Sequence, residues 1–496
     1  MKDPLKQTLL ARVYDVARET PLQRAPKISK QVGAEVYLKR EDLQPVHSFK
    51  LRGAYNKISH LTPAEQKRGV IAASAGNHAQ GVALAAKKLG LSALIVMPTT
   101  TPAIKVEAVK GYGAEVVLAG DSYSDAYEHS QKLAQDTGRV FVHPFDDPLV
   151  ITGQGTIGRE ILEQLPDVTH IFVPVGGGGL IAGVSQFIKG IRPDIKVIGV
   201  EPEDSNAMQL SLRAGKRVTL DHVGIFADGV AVKYVGKLTF AIAQKCVDEV
   251  MTVSTDQICA AIKSLFEDTR SIAEPAGALA AAGARQYQLP ENAKAVAICS
   301  GANVSFERLQ QIAERTLIGS GREALFAVTM PERPGALMTF CTKVVNGHSI
   351  NEFNYRLHDR SSAHVLVSIG VANAADKAAF IKKMDRRGYK HVDLSQDDIA
   401  KEHTRHMIGG LGQGQDEHLY QIDFPERPGA LGDFLTTLGT DWNISVFHYR
   451  GAASDTGNVL VGFETPDRQA LEAKLSKTGY DWHPADKNPS LQLFIR

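Results

Sequence analysis

The feature that most constrains the fold is an ordered repetition of short apolar runs and helical patterns between about residues 35 and 320. Gly69–Ala73 is followed by an alanine-rich helical stretch, Asn77 to Leu89. Ala93–Met97 ends at Pro98, and Glu115–Leu118, Val140–His143, Ile171–Val175, Val197–Val200 and Ala295–Cys299 follow. Most of these runs are dense in Val and Ile and lack polar alternation, which predicts strands covered on both faces. Strand, loop and helix in that recurring order predict an α/β fold with a doubly wound, mostly parallel sheet. Ligands of such sheets bind outside the carboxyl ends of the strands, so the loops at those ends are where chemistry is sought.

Near residue 318 the texture changes, and Ile318-Gly319-Ser320-Gly321 reads as a linker. Beyond it Pro331-Glu332-Arg333-Pro334-Gly335-Ala336-Leu337 recurs as Pro425-Glu426-Arg427-Pro428-Gly429-Ala430-Leu431, an offset of 94. Asn354-Tyr355-Arg356 recurs as His448-Tyr449-Arg450 in the same register, so a duplicated unit is read. The expected domains are therefore 1–320, 322–408 and 416–496, with the glycine-rich Gly409–Gln415 as the joint between copies. Each copy reads strand, Pro-Gly turn, helix, strand, strand, helix, strand, which is a small α+β sandwich of ferredoxin-like type. Neither copy sets a nucleophile beside a base. That leaves a structural or oligomerisation module, or a ligand-sensing pair.

Charge and cysteine usage narrow the function. The net charge is +1, with no dense Lys/Arg run interleaved with aromatics, which speaks against nucleic acid or an anionic membrane as partner. The four cysteines are scattered, without Cys-x-x-Cys or histidines at metal spacing, so reduced, buried thiols and no metal are expected. Leu5, Leu9, Val13 and Val16 form one stripe of an amphipathic helix rather than a signal peptide. No apolar run approaches the ~20 residues of a membrane span. A cytoplasmic protein, or a mature form already cleaved, is expected.

Four strand-end segments carry the candidate chemistry. In Lys39–Ala54, Ser48 is a candidate N-cap that places Lys50 in a first helical turn. The amide dipoles there disfavour a cation, and a neutral amine is what a Schiff base needs. Gly176-Gly177-Gly178-Gly179-Leu180 links a strand to a helix, and its bare backbone N–H groups suit one compact phosphate. The pattern is neither G-x-G-x-x-G nor a P-loop, which lowers nicotinamide and nucleoside triphosphate readings. Ser74-Ala75-Gly76-Asn77-His78 exposes amides that suit a carboxylate, and the Asn77 amide suits a phenolic oxygen; Ser74 and Asn77 could equally be helix caps. His78 reads as a packed histidine. In Cys299-Ser300-Gly301-Ala302-Asn303, Ser300 offers one neutral hydroxyl to a ring nitrogen, or caps a helix.

Occurring in this order, these motifs resemble the pyridoxal-phosphate enzymes of fold type II, the tryptophan synthase β-like fold, and among them the threonine and serine dehydratase group. The resemblance covers roughly residues 1–320. It implies that Lys50 holds pyridoxal 5'-phosphate covalently and acts as the base. It further implies that Asn77 contacts the ring hydroxyl oxygen, Gly176 to Leu180 hold the phosphate, and Ser300 bonds the pyridine nitrogen. Ser74, Ala75, Gly76 and Asn77 would receive the substrate carboxylate. The C-terminal pair resembles the ACT-like regulatory domains of the biosynthetic threonine deaminases. The implied activity is dehydration and deamination of L-threonine, and of L-serine, to 2-oxobutanoate (from threonine) and ammonia, the first step of isoleucine biosynthesis. Implied as well are inhibition by isoleucine, opposition by valine and a homotetramer.

Two residues sharpen the choice of reaction. A neutral Ser300 hydroxyl cannot stabilise a protonated pyridine as a carboxylate would, which favours elimination over transamination. Serine racemases in this group carry a second serine where this chain has Ala75, so a racemase ranks low. Each Arg-Pro-Gly-Ala-Leu turn opens a helix whose N–H groups suit an amino-acid carboxylate, which puts the effector site near Gly335 or Gly429. The alternatives are another fold-type-II enzyme (serine dehydratase, racemase, β-replacing synthase or threonine synthase) and a non-catalytic amino-acid sensor.

Overall fold

The structure is a computed structural model of the chain, described for residues 3–331, 339–345, 348, 350–357, 362–406, 416–425, 434, 437–439, 442–449 and 456–494. The turns around Gly335 and Gly429 and the Gly409–Gln415 joint lie outside the described residues. The chain divides after Ile312 into two compact units.

The first unit holds ten strands: β1 (Leu22–Arg24), β2 (Glu35–Arg40), β3 (Val70–Ala73), β4 (Ala93–Met97), β5 (Glu115–Leu118), β6 (Val140–Phe141), β7 (His170–Pro174), β8 (Lys196–Pro202), β9 (Glu249–Val253) and β10 (Lys294–Cys299). They form a sheet of order β1-β2-β10-β7-β8-β9, parallel except for β1, and a parallel sheet β5-β4-β3-β6. The mostly parallel α/β architecture is thus present, with its strands shared between two sheets. Sequence reading missed β1 and β9, both at sheet edges. Three residues of Leu-Gln-Arg, and a half-exposed Glu-Val-Met-Thr-Val, lack the solid apolar signal of the inner strands.

Burial on both faces explains that inner signal. Phe172, Ile198, Val36, Leu38, Ala295 and Ala297 point to one side, against the alanine-rich helix Pro275–Gln286. Ile171, Val173, Val197, Val296 and Ile298 point to the other, against the helices Pro148–Gln164 and Gly179–Ile191. Each fully buried Val or Ile contributes about 1.5–3 kcal/mol of transfer free energy before conformational entropy is set against it.

The N-terminal stripe is corrected. The first helix covers only Pro4–Leu9, started by Asp3, whose Oδ1 accepts the Leu5 N–H at 3.0 Å. Leu9 is 53% exposed, whereas Val13 is buried outside any helix. Tertiary bonds override the local periodicity here: Arg12 N–H donates to Asn56 Oδ1 at 2.9 Å and Tyr14 O–H to Glu160 Oε1 at 2.9 Å. The expected linker at Ile318–Gly321 is also different. Helix Arg308–Gly319 runs through its first half, and Gly321 (φ 66°) turns the chain into the next strand.

A buried ionic network braces the helix Lys50–Ser59. Arg52 spans Glu41 (2.8 Å) and Glu160, and Lys39 Nζ lies 2.6 Å from Glu160, with all four side chains at 0% exposure. In low dielectric such a network holds only when every charge is paired, which fixes the geometry of the elements that supply it.

The second unit repeats itself. β11 (Glu323–Pro331), β12 (Ile350–Leu357), β13 (Ser362–Gly370) and β14 (Lys390–Asp393) pair antiparallel in the order β12-β13-β11-β14. β15 (Glu417–Pro425), β16 (Asn443–Tyr449), β17 (Thr456–Glu464) and β18 (Trp482–Pro484) do the same as β16-β17-β15-β18. This is the expected ferredoxin-like order, and the register slip between Ile350 and Glu352 recurs between Ile444 and Val446. Each copy ends in a short helix, Asp398–Glu402 and Pro489–Phe494. Ala400 packs on the first sheet while its neighbour Ile399 reaches the second; Leu491 packs on the second while Leu493 and Phe494 reach the first.

Candidate active site

Lys50 is the first residue of its helix. Phe49 occupies the capping position, and the Ser48 hydroxyl accepts the Lys50 N–H at 3.3 Å. On one side helix Asn77–Leu89 passes so close that a Cβ on Gly81 would lie 3.0 Å from Leu51 N and 3.1 Å from Lys50 C. On the other side the loop after β10 is stitched to the lysine loop: Phe49 N–H donates to Ser300 O at 3.2 Å and Ala302 N–H to His47 O at 2.9 Å. Desolvation pushes the Lys50 ammonium down to about 8, with Glu274 opposing the shift. Near neutral pH its uncharged, nucleophilic fraction is therefore well above that of an exposed lysine.

The glycine loop follows β7. Thr239 Oγ1 donates to Gly177 O at 2.7 Å and Gly236 N–H does so at 3.2 Å, which fixes the loop from outside. Gly178 sits at φ 94°, where a side chain is strained, and its Cβ would press on Met208 Cε at 2.7 Å. A Cβ on Gly177 would overlap the Phe145 ring. No acceptor among the described residues takes the backbone N–H groups of Gly176 to Leu180, although four of these five residues are buried. Buried N–H groups without acceptors are costly, and a run of them at a helix start is what an anion satisfies. The loop therefore fits a phosphate.

The two sheets meet through polar side chains. Asn77 opens its helix without capping it; its Nδ2 donates to Glu274 Oε1 at 2.6 Å, and its Oδ1 accepts from Asn303 Nδ2 at 2.6 Å. Glu274 is pushed up to about 7 by burial and by Asp228, so it holds a proton near neutrality part of the time. The turn Asp228–Val230 touches both parts of the site. A Cβ on Gly176 would lie 2.8 Å from Val230 Cα, and one on Gly229 would lie 3.8 Å from Glu274 Oε1 and 4.0 Å from Asn77 Nδ2. Lys105 Nζ pairs with Asp228 at 2.9 Å across that gap. Ser74 Oγ accepts the Gly76 N–H at 3.2 Å, which shapes the loop with Ala75. Ser300 Oγ is buried and reaches Ala276 O at 3.4 Å, a long bond that leaves its hydroxyl free for a better partner.

The residues singled out from sequence for cofactor, substrate and catalysis thus lie in four loops joined by these bonds and contacts. His78 is packed as expected: it bonds Val142 O at 2.8 Å and is pushed down to about 3 by burial and by Lys50, so it is neutral. Glu274, Asp228, Phe145 and the side chain of Asn303 were not assigned a part. Asn303 stood in a quoted motif. The others carry no spacing signal, because each comes from a separate segment. Among the described residues no group of three His, Cys, Asp or Glu could hold a metal ion, and no helix is long and apolar enough to cross a membrane.

A family model described as pyridoxal-phosphate dependent enzyme matches residues 13–301, and one described as the C-terminal regulatory domain of threonine dehydratase matches 314–404 and 409–495. The chain is 52% identical to the biosynthetic L-threonine dehydratase IlvA of Burkholderia multivorans, over 99% of both chains. Among solved structures it resembles the processed form of threonine deaminase isoform 2 from Solanum lycopersicum (51% identity, TM-score 0.61, 63% of this chain and 92% of that one). It also resembles maize serine racemase (36% identity, TM-score 0.59, 64% of this chain and 97% of that one). A low-pKa lysine, a phosphate cradle and regulatory repeats agree with these matches: the chain belongs to the pyridoxal-phosphate-dependent enzymes and, within them, to the biosynthetic threonine dehydratases.

Proposed function

We propose that this chain converts L-threonine to 2-oxobutanoate and ammonia, accepts L-serine as a second substrate, and is inhibited by isoleucine with valine opposing. Residues 1–320 would be the catalytic domain, and 322–408 and 416–496 the two regulatory repeats. The observation that supports the catalytic reading is that the loops bearing Lys50, Asn77 and Ser300 are bonded to one another, and that the Gly176–Leu180 loop with its unsatisfied N–H groups adjoins the turn Asp228–Val230 bordering Asn77. Homotetramer assembly and a cytoplasmic location belong to the same proposal.

Gly176, Gly177, Gly178, Gly179 and Leu180 would hold the phosphate, Asn77 the ring oxygen and Ser300 the ring nitrogen. Lys50 would supply the covalent attachment. When bound, pyridoxal phosphate delocalises the electron pair left behind when the substrate loses its α-proton. The remaining tasks fall to this chain. The amides of Ser74 to Asn77, at the positive end of a helix, receive the substrate carboxylate. Freed from its covalent attachment by exchange with the substrate amine, Lys50 would take the α-proton; desolvation lowers its ammonium to about 8, so about half of it is in the basic form at that pH. The uncharged Ser300 hydroxyl would hold the ring nitrogen without fixing a proton on it, which favours loss of the β-hydroxyl over transamination. Ala75 presents a methyl group, so reprotonation from that side has no donor and racemisation is disfavoured.

The test is a visible absorption band in purified protein supplied with pyridoxal phosphate, with borohydride-trapped label at Lys50 and release of ammonia and 2-oxobutanoate from threonine. Absence of label at Lys50 would overturn the site. Label without ammonia release would overturn the reaction.

A further inference from the structure

The hydrogen bonds around Asn77 can be oriented from one fixed end. Asn303 Nδ2 lies 2.8 Å from Val46 O, and a backbone carbonyl can only accept, so the Asn303 atom there is its NH2 group. That same NH2 is 2.6 Å from Asn77, so the Asn77 atom facing it is the carbonyl oxygen. The other end of the Asn77 amide is therefore its NH2, which spends one hydrogen on Glu274 Oε1 at 2.6 Å. Its second hydrogen has no acceptor among the described residues. The amide is thus held with a spare N–H, and its oxygen is turned away and occupied.

We propose that Asn303 is a positioning residue that sets the Asn77 amide as a hydrogen-bond donor toward the cofactor ring oxygen, with Glu274 holding the opposite end. The inference rests on the reading of Asn77 as the ring-oxygen contact. An Asn77 amide rotated by half a turn would present a carbonyl to an oxygen of like polarity, which repels. Glu274 Oε1 occupies the place a Cβ on Gly301 would take, so the glycine is what lets the carboxylate reach the Asn77 amide. Asn303 comes from the loop that supplies Ser300, so one loop sets both the nitrogen contact and the donor state of the oxygen contact.

The experiment measures the dissociation constant and visible band of pyridoxal phosphate on full-length wild type, Asn303→Ala, Asn303→Asp, Asn77→Ala and Asn77→Ala/Asn303→Ala. Asn303→Asp keeps the shape but removes both N–H donors. We expect Asn303→Ala and Asn303→Asp each to weaken cofactor binding about fivefold to tenfold, the scale of one net hydrogen bond. In the Asn77→Ala background the further loss should be under about twofold, since residues acting through one contact are not additive. Wild-type binding by Asn303→Asp, or the same fold-loss in both backgrounds, overturns the inference while leaving Asn77 in place. Wild-type binding by Asn77→Ala overturns the reading of Asn77 and the inference with it.

Discussion

At the scale of single residues, the site depends on environment more than on residue type. Lys50 is an ordinary lysine until desolvation lowers it from 10.5 to about 8, against the pull of Glu274. If Lys50 is the attachment point, its neutral amine is the nucleophile, and the rate at which cofactor-free protein takes up pyridoxal phosphate should rise with pH and level off above about 8, not above 10.5. Stopped-flow absorbance across pH 6–10 checks this (~4 pH units, ample for one titration). Glu274→Gln should move the midpoint lower, because the opposing carboxylate is gone. Ser300 is the second case. On the role proposed for Ser300, Ser300→Asp would put a carboxylate against the ring nitrogen and favour its protonated form, so deamination should fall and conversion of the cofactor to pyridoxamine phosphate should rise. Turnover assays that follow both products decide it, and unchanged partitioning refutes the assigned role. The lysine, the glycines and the serine were legible as candidates, since each sits in a compact motif whose chemistry is local. Glu274, which is buried, and Asp228, which is exposed, were not, because each joins the site only when distant segments close around it.

At the scale of elements, legibility followed burial. Inner strands such as β7 and β10 are packed on both faces and read as solid apolar runs, while β1 and β9 at the edges did not. The N-terminal stripe failed for a related reason: Val13 is buried by contacts to another segment, not by a helix of its own. The helix that carries Lys50 is held in depth by Arg52, which spans Glu41 and Glu160 across three elements. No local pattern advertises this, since an Arg two residues past a lysine reads as a solvated charge. Arg52→Ala would leave Glu41 with only the neutral donors Thr20 and Gln44 and without its cationic partner, and Glu160 with Lys39 and the neutral donor Tyr14, in a site closed to water. A cost of about 3–5 kcal/mol to the catalytic unit is expected, as for one member removed from a buried ion pair. Urea titration followed by a probe in that unit measures it. A loss below about 1 kcal/mol would place the network among those that contribute little.

At the scale of the whole molecule, the duplication is more than two copies in series. The short terminal helices Asp398–Glu402 and Pro489–Phe494 lie between the sheets, each packing residues on both. Asn488 Nδ2 donates to Asp397 at 3.2 Å, and Thr404 and Ser490 share a hydrogen bond at 3.2 Å. The repeat was legible from its 94-residue offset. This shared layer was not, because it is made by the few residues after each copy's last strand, where the offset drifts. A layer in which each helix touches both sheets makes a change in one repeat felt by the other. If the tail senses isoleucine, its response should therefore need both sheets seated. Leu491 is fully buried against Leu419 and Leu460, and Leu491→Asp puts a charge there that cannot be paired without opening the layer. Threonine deamination should persist, within about threefold of wild type, because Leu491 belongs to the second unit and the proposed catalytic residues all belong to the first. The isoleucine inhibition curve should shift to higher concentration by at least tenfold (about 1.4 kcal/mol of coupling), and removal of residues 322–496 should abolish inhibition altogether. Wild-type sensitivity in Leu491→Asp, with the substitution's effect on folding verified by proteolysis, would mean that one repeat answers the effector alone. Inhibition surviving in the truncated chain would move the effector site out of the repeats.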